Sequence, residues 1–219
     1  MVAQQGRVRV AAAKRFPDMD NGKALIIFVR NPELGKVKTR LAATIGEENA
    51  LKVYKELLRH TRDITQNLPV RKLLFFAGST DPDFWPSEYY KPYRQTDGDL
   101  GIRMEKAFEQ AFAQGARQVM IIGSDCHELQ EEHISEAFEK LNSHEAVIGP
   151  AADGGYYLLG FSALNRSVFQ HKTWSTDTVF QDTIHDFEQA GLTYAVLPVL
   201  RDVDEEKDLN DELRSLITS

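Results

Sequence analysis

Gln118-Val-Met-Ile-Ile-Gly-Ser-Asp-Cys-His127 is the stretch whose reading decides the fold. Four consecutive apolar residues, Val119 to Ile122, read as a strand buried on both faces. A Gly-Ser bend follows, and Asp125 then stands at the strand's carboxyl end. In open α/β sheets ligands bind in the crevice outside those ends, where an acidic residue can meet a metal or a substrate. An aspartate after a strand can equally cap the next helix. The stretch alone leaves both readings open.

Working outward, residues 24–29 form a second buried apolar run, followed by a loop from Arg30 to about Gly46. The stripe Ala50, Leu51, Tyr54, Leu57, Leu58 and Ile64 predicts a helix over 47–67, with Thr44 and Glu47 at capping-box spacing. A strand is expected over 71–77, ended by Gly78. The three prolines in 81–93 argue against a regular element there, and the five aromatics read as an ordered excursion or a binding wall. Met104, Ala107, Phe108, Ala111 and Phe112 give one face to a helix over 101–114. Downstream, helices are expected over 131–141, 178–190 and 209–217, and strands over 145–149, 156–161 and 192–197. This alternation predicts an α/β fold: a mostly parallel central sheet with helices on both faces. The strands flanking Asp153 are joined too closely for a crossover helix, so one strand should run antiparallel.

The 219 residues suit one domain over 23–219, preceded by a flexible leader over 1–22 that has no apolar signal core. A net charge of -7 argues against general binding to nucleic acid or anionic membranes. The single cysteine, Cys126, excludes an internal disulfide. No apolar run approaches the ~18 residues of a membrane span, and a cytoplasmic location is the expectation.

Four segments carry candidate chemistry. In Arg30-Asn-Pro-Glu-Leu-Gly-Lys-Val-Lys-Thr-Arg40, cations crowd a strand's carboxyl end, which favours phosphate or makes a solvated basic loop. It lacks the Gly-Lys-Ser/Thr of a P-loop. Gln95-Thr-Asp-Gly-Asp-Leu-Gly-Ile-Arg103 precedes a helix, suiting close backbone approach to a ligand, though Asp97 or Asp99 could simply cap. Asp153-Gly-Gly is a plain hairpin signal. Asp202 and Asp204 are alternate carboxylates able to share a hard cation, or the acidic start of a helix.

Arg30-x-Pro-x-x-Gly-x-Val-Lys-Thr-Arg-Leu41, Asp-Gly-Asp-Leu-Gly-x-Arg-Met104, Ile-Gly-Ser-Asp-Cys126, Gly-Pro-Ala-Ala-Asp-Gly-Gly-Tyr156, Trp-Ser-Thr176 and Asp-Val-Asp204 occur in that order. Together they resemble the bacterial glycosyltransferase-like family DUF2064, also labelled radical-SAM/selenodomain-associated transferase 1, over about residues 23–212. The resemblance implies the nucleotide-diphospho-sugar transferase (GT-A) fold and a kinship with nucleotidyltransferases. It implies that Arg30, Gly35, Lys36, Lys38 and Arg40 hold phosphates, with Gln95, Asp97, Gly98, Asp99, Gly101 and Arg103 near the nucleotide. Asp125 takes the place of the metal-binding aspartate, Asp204 that of a late metal aspartate, and the cofactor is Mg²⁺ or Mn²⁺. Asp153, Gly154, Gly155, Tyr156, Trp174 and Asp177 would border sugar or acceptor, with Asp153 or Asp177 as the base if the transfer inverts the anomeric centre. One departure is His127, where the family has proline; it could join the metal shell, act as a base or lie at the surface. Cys126 reads as a packing residue rather than a nucleophile.

The activity these parts imply is metal-dependent transfer of a sugar from a nucleoside-diphosphate sugar to a small-molecule acceptor, with Asp125, Asp153, Lys38 and Arg40 as the catalytic set. Nucleotidyl transfer from an NTP to a phosphorylated small molecule is the alternative, and a non-catalytic nucleotide-sugar-binding protein a third. Homodimer formation is left open.

Overall fold

The structure, a computed structural model, describes residues 21–79 and 81–217. All of the expected leader except Asn21 and Gly22 therefore lies outside the described residues. The strands are β1 (Lys23–Arg30), β2 (Arg71–Ala77), β3 (Tyr90–Arg94), β4 (Gln118–Ile122), β5 (Ala146–Pro150), β6 (Tyr156–Phe161) and β7 (Tyr194–Val196). The helices are α1 (Thr39–Ile45), α2 (Glu47–Gln66), α3 (Leu100–Ala113), α4 (Glu131–Lys140), α5 (Val179–Gln189) and α6 (Asp211–Ser215). The strands form one sheet in the order β3-β2-β1-β4-β6-β5-β7. Every neighbouring pair is parallel except those of β6, which runs against both β4 and β5.

The continuous apolar runs follow from burial on both sides. In β1, Leu25, Ile27 and Val29 point into one core with Ala50, Val53, Tyr54 and Leu57 of α2. Ala24 and Ile26 point the other way, into a second core with Met104, Ala107, Phe108 and Ala111 of α3. With a side-chain period of two, a strand covered on both faces must be apolar at every position. Each fully buried Leu or Ile contributes roughly 1.5–3 kcal/mol from burial.

Three local expectations are corrected. The loop 30–46 contains α1, and the N-cap of α2 is Gly46 without a side-chain cap. Thr44 is not a cap; its hydroxyl donates to the Leu41 carbonyl at 3.0 Å, within the preceding helix. The segment with three prolines ends in a regular strand, β3, because Pro92 lies on the outermost strand of the sheet, where a missing N–H costs little. Its aromatics pack rather than form a binding wall: Trp85 meets Tyr90 edge-to-face at 4.9 Å. The Tyr90 hydroxyl reaches the Arg62 carbonyl at 2.9 Å, fastening the excursion to α2.

Lys72 of β2 is 1% exposed, and its ammonium donates to the Gln66 and Leu68 carbonyls at 2.9 and 2.7 Å. It thus serves carbonyls at the end of α2, where a cation also suits the helix dipole. Burial pushes its amine down to about 8. Above that pH the folded protein has released a proton that the unfolded chain keeps up to the ordinary lysine range. The unfolded state therefore binds more protons in this window, and stability rises with pH. In urea titrations from pH 7 upward, wild type should gain on the order of 2 kcal/mol over Lys72→Met between about pH 8 and 10. A pH-independent difference would show that this amine titrates normally.

Candidate active site

From the carboxyl end of β1 the chain proceeds to β2 on one side and later to β4 on the other. This reversal opens a crevice at the carboxyl ends of β1 and β4. A cavity of about 490 Å³ occupies it, with Arg30 at the end of β1 and Gly123, Ser124 and Asp125 just after β4 on its wall.

A buried cation bridges two carboxylates at its centre. The Lys38 ammonium lies 2.7 Å from Asp125 Oδ1 and 2.9 Å from Asp204 Oδ1, and its side chain is only 6% exposed. Lys38 is the N-cap of α1 in a left-handed conformation (φ 48°) that a non-glycine residue adopts at some cost. Burial works against its charge, but Asp125 and Asp204 outweigh burial and hold the ammonium above the ordinary lysine value. Arg40 adds a longer contact to Asp204 at 3.7 Å. The late carboxylates arrive because the Val203 N–H donates to the Asp125 carbonyl at 2.9 Å. Val203 is buried, while Asp202 and Asp204 on either side of it both line the cavity. Burial, reinforced by the charges of Asp125 and Asp153, pushes the Asp202 carboxyl up to about 7.

A second set of cations lines the cavity on the β1–α3 side. Gln95 Nε2 donates to the Val29 and Phe75 carbonyls at 3.2 and 3.0 Å, leaving its Oε1 to accept from Arg103 Nη1 at 3.1 Å. Burial and the neighbouring Arg30 charge both lower the Arg103 pKa. Arg30 is held through its backbone: the Tyr54 hydroxyl accepts from its N–H at 3.0 Å and donates to its carbonyl at 3.2 Å.

Of the residues singled out in the sequence, Arg30, Lys38, Arg40, Gln95, Arg103, Asp125, Cys126, Tyr156, Asp202 and Asp204 are brought together on the cavity wall. The others fall outside it. Lys36 is 72% exposed and pairs with Glu33, while Gly35 (φ 73°) turns the loop. Asp99 caps α3 by accepting from the Ile102 N–H at 2.9 Å, and neither Asp97 nor Gly98 lines the cavity. Gly101 is a packing glycine: a Cβ there would lie 2.3 Å from Trp174 Nε1, so the Trp174 ring seats on the start of α3. Gly154 packs just as closely on the Asp177 backbone, and Asp153 Oδ1 accepts from the Gly155 N–H at 2.9 Å. Asp153, Gly155, Trp174 and Asp177 are all off the wall, although the Asp153 charge reaches Asp202. Sequence reasoning left out Tyr54, Ser124, Thr39 and Ser175, which line the cavity, and weighed Asp202 only by its spacing. The one signal at Tyr54 was a hydroxyl within an otherwise aliphatic run of stripe positions.

Cys126 is buried, which raises its thiol pKa, so it packs and is not primed as a nucleophile. His127 lies off the cavity wall, its side chain 10% exposed and its ring 4.6 Å from His60. Glu56, His127 and Glu212 each bring a donor atom within 4.8 Å of the others, a spacing that could suit a metal. The histidine tautomer argues against it. Asn210 Oδ1 accepts from the Leu213 N–H at 2.9 Å, which turns Asn210 Nδ2 toward His127 Nδ1 at 3.0 Å. His127 Nδ1 must then accept, so Nε2 carries the hydrogen and has no lone pair for a metal. Arg59 already lies against both Glu56 and Glu212.

The fold defines an α/β protein of the nucleotide-diphospho-sugar transferase class of folds, with a cavity at the carboxyl ends of β1 and β4. The chain belongs to the family DUF2064, described as uncharacterized and conserved in bacteria, which matches residues 60–176. Among solved structures it is similar to a protein of Desulfovibrio desulfuricans G20 provisionally named a nucleotide-diphospho-sugar transferase. The two share 29% identity over 90% of this chain and 97% of that one, with a TM-score of 0.80. A nucleotidyl transferase from Methanothermobacter shares the fold at 11% identity and a TM-score of 0.66, over 90% of this chain and 99% of that one. The inositol-1-phosphate CTP transferase from T. maritima does so at 12% and 0.57, over 89% and 94%. No curated protein matches the sequence.

The seat of Trp174 on Gly101 is testable. Gly101→Ala would drive a methyl group into the indole and toward the Phe169 carbonyl, 2.7 Å from the new Cβ. The variant should lose about 1–3 kcal/mol of stability. In a Trp85→Phe background its tryptophan emission should shift as Trp174 leaves its seat. Unchanged emission would mean that the ring is not packed there in solution.

Proposed function

We propose that this protein is a divalent-cation-dependent transferase that passes a sugar from a nucleoside-diphosphate sugar to a small-molecule acceptor. The observation that carries the reading is the convergence of Asp125 and Asp204 oxygens on one cation, the Lys38 ammonium, in a cavity also lined by Arg30, Arg40 and Arg103. The ammonium stands in for a positive ion: it marks a point that two hard oxygen donors already address, and such donors suit Mg²⁺ or Mn²⁺. Asp125 and Asp204 would hold that ion. When bound, it supplies charge neutralisation for a leaving diphosphate.

The chain's own residues do the rest. Arg40, with its guanidinium largely exposed beside Asp204, is free to turn a bidentate fork to phosphate oxygens. Arg103, whose guanidinium Gln95 already orients, and Arg30, whose backbone Tyr54 holds, offer a second cationic contact. The Desulfovibrio neighbour, named for this donor class, supports the choice of sugar transfer.

A second reading, nucleotidyl transfer from an NTP with release of pyrophosphate, draws support from Asp204 joining Asp125, since two carboxylates suit a metal spread over a triphosphate. A thermal-shift screen of nucleoside diphosphates, triphosphates and diphospho-sugars, with and without Mn²⁺, should give its largest shift with a diphospho-sugar plus Mn²⁺. Turnover of that donor should fall by about a hundredfold or more in Asp125→Asn. Pyrophosphate release from an NTP, with no turnover of any nucleotide sugar, would replace the first reading by the second.

A further inference from the structure

Lys38 does more than line the cavity: it holds the point where the carboxylates would take up a metal. One oxygen of Asp125 and one of Asp204 already bond its ammonium, at 2.7 and 2.9 Å. The lysine is the more deeply buried partner; its side chain is 6% exposed, against 48% and 40% for the two aspartates. Its backbone is fixed at the start of α1, which Leu41 anchors in the core. A divalent ion arriving alone must either break both bonds or take the second oxygen of each carboxylate, and in either case it shares them with an ammonium a few ångströms away and with Arg40, 3.7 Å from Asp204 Oδ2. Like charges crowded around two carboxylates repel, most strongly where water is scarce. An incoming diphosphate changes the balance, because its oxygens can take over both the ammonium and the metal.

We propose that Lys38 is a tethered cation that bars the free divalent ion, so that metal and diphosphate enter this site together and each tightens the other. The inference rests on the metal-and-diphosphate reading above. Coupling of this kind is reciprocal: the factor by which diphosphate strengthens metal binding equals the factor by which metal strengthens diphosphate binding. It assigns to Lys38 the exclusion of the free cation as well as contact with phosphate.

The test uses the full chain with Mn²⁺ as one probe and inorganic pyrophosphate as the other. Free Mn²⁺ is read by electron paramagnetic resonance, and retention of labelled pyrophosphate by equilibrium dialysis. Wild type should bind Mn²⁺ weakly alone and retain pyrophosphate at least about tenfold better with Mn²⁺ than without it. Lys38→Met should bind Mn²⁺ about tenfold more tightly than wild type in the absence of any anion. Lys38→Arg, which keeps a cation, should continue to exclude it. If Lys38→Met is unstable in metal-free buffer, from two carboxylates left facing each other, added Mn²⁺ should restore its melting temperature to a greater degree than that of Lys38→Arg. Equal anion-free Mn²⁺ affinity in wild type and Lys38→Met, with Asp125→Asn binding none, overturns this inference and leaves the metal reading standing. Absence of Mn²⁺ binding in every variant, with and without pyrophosphate, overturns both.

Discussion

The hydrogen bond from the Val203 N–H to the Asp125 carbonyl is the joint on which the site depends. It ties a segment from near the end of the chain to the end of β4. The approach is prepared by Leu200, whose N–H and carbonyl bond Pro150 and Ala152, and by Glu128, which accepts from the Arg201 N–H at 2.9 Å. Apart from the Glu128 carboxylate, these are backbone contacts that carry no sequence information of their own, yet together they decide that Asp202 and Asp204 face Asp125. Three carboxylates so placed would repel one another, and the Lys38 ammonium between two of them offsets that repulsion.

The distribution of charge follows the same geometry. The chain is acidic overall, with a net charge of -7, but Arg30, Lys38, Arg40 and Arg103 gather at one end of the sheet. Arg30 ends β1, Lys38 and Arg40 stand at the start of α1, and Arg103 comes from the first turn of α3. Gln95 links Arg103 to the sheet by accepting from its guanidinium and bonding the carbonyls of Val29 and Phe75. One member of the cationic wall thus ends a strand, and the others stand at the starts of two helices that pack on the sheet.

Much of this architecture was legible in the sequence, because a strand buried on both faces announces itself as an unbroken apolar run. The runs at 24–29, 71–77 and 119–122 became β1, β2 and β4 within a residue or so. The helix α1 was hidden: it begins at a left-handed lysine with no capping side chain, and it buries little but Leu41. Pro92 misled because edge position is a property of the whole sheet, not of the local sequence. At the site, the charged residues of the motifs lay on the cavity wall more often than the glycines did. A glycine that permits close approach says nothing of what approaches; at Gly101 it is Trp174, and at Gly154 the Asp177 backbone. Tyr54 was invisible as a site residue because its ring satisfies the helix stripe while its hydroxyl holds the end of β1.

The reversed direction of β6 has a consequence for how such a site can vary. A strand that runs against its neighbours enters the sheet at the end where they leave it. Tyr156, the first residue of β6, therefore meets the cavity, whereas β1 and β4 reach it through their last residues and the loops beyond them. The turn before Tyr156 packs on the approach to α5, with the Phe180 N–H donating to the Gly154 carbonyl at 2.9 Å, and makes no contribution to the pairing of β1 with β4. Lengthening or reshaping that hairpin would remodel the Tyr156 side of the cavity while β1 and β4 kept their register, so a single scaffold can hold one wall constant and diversify the other.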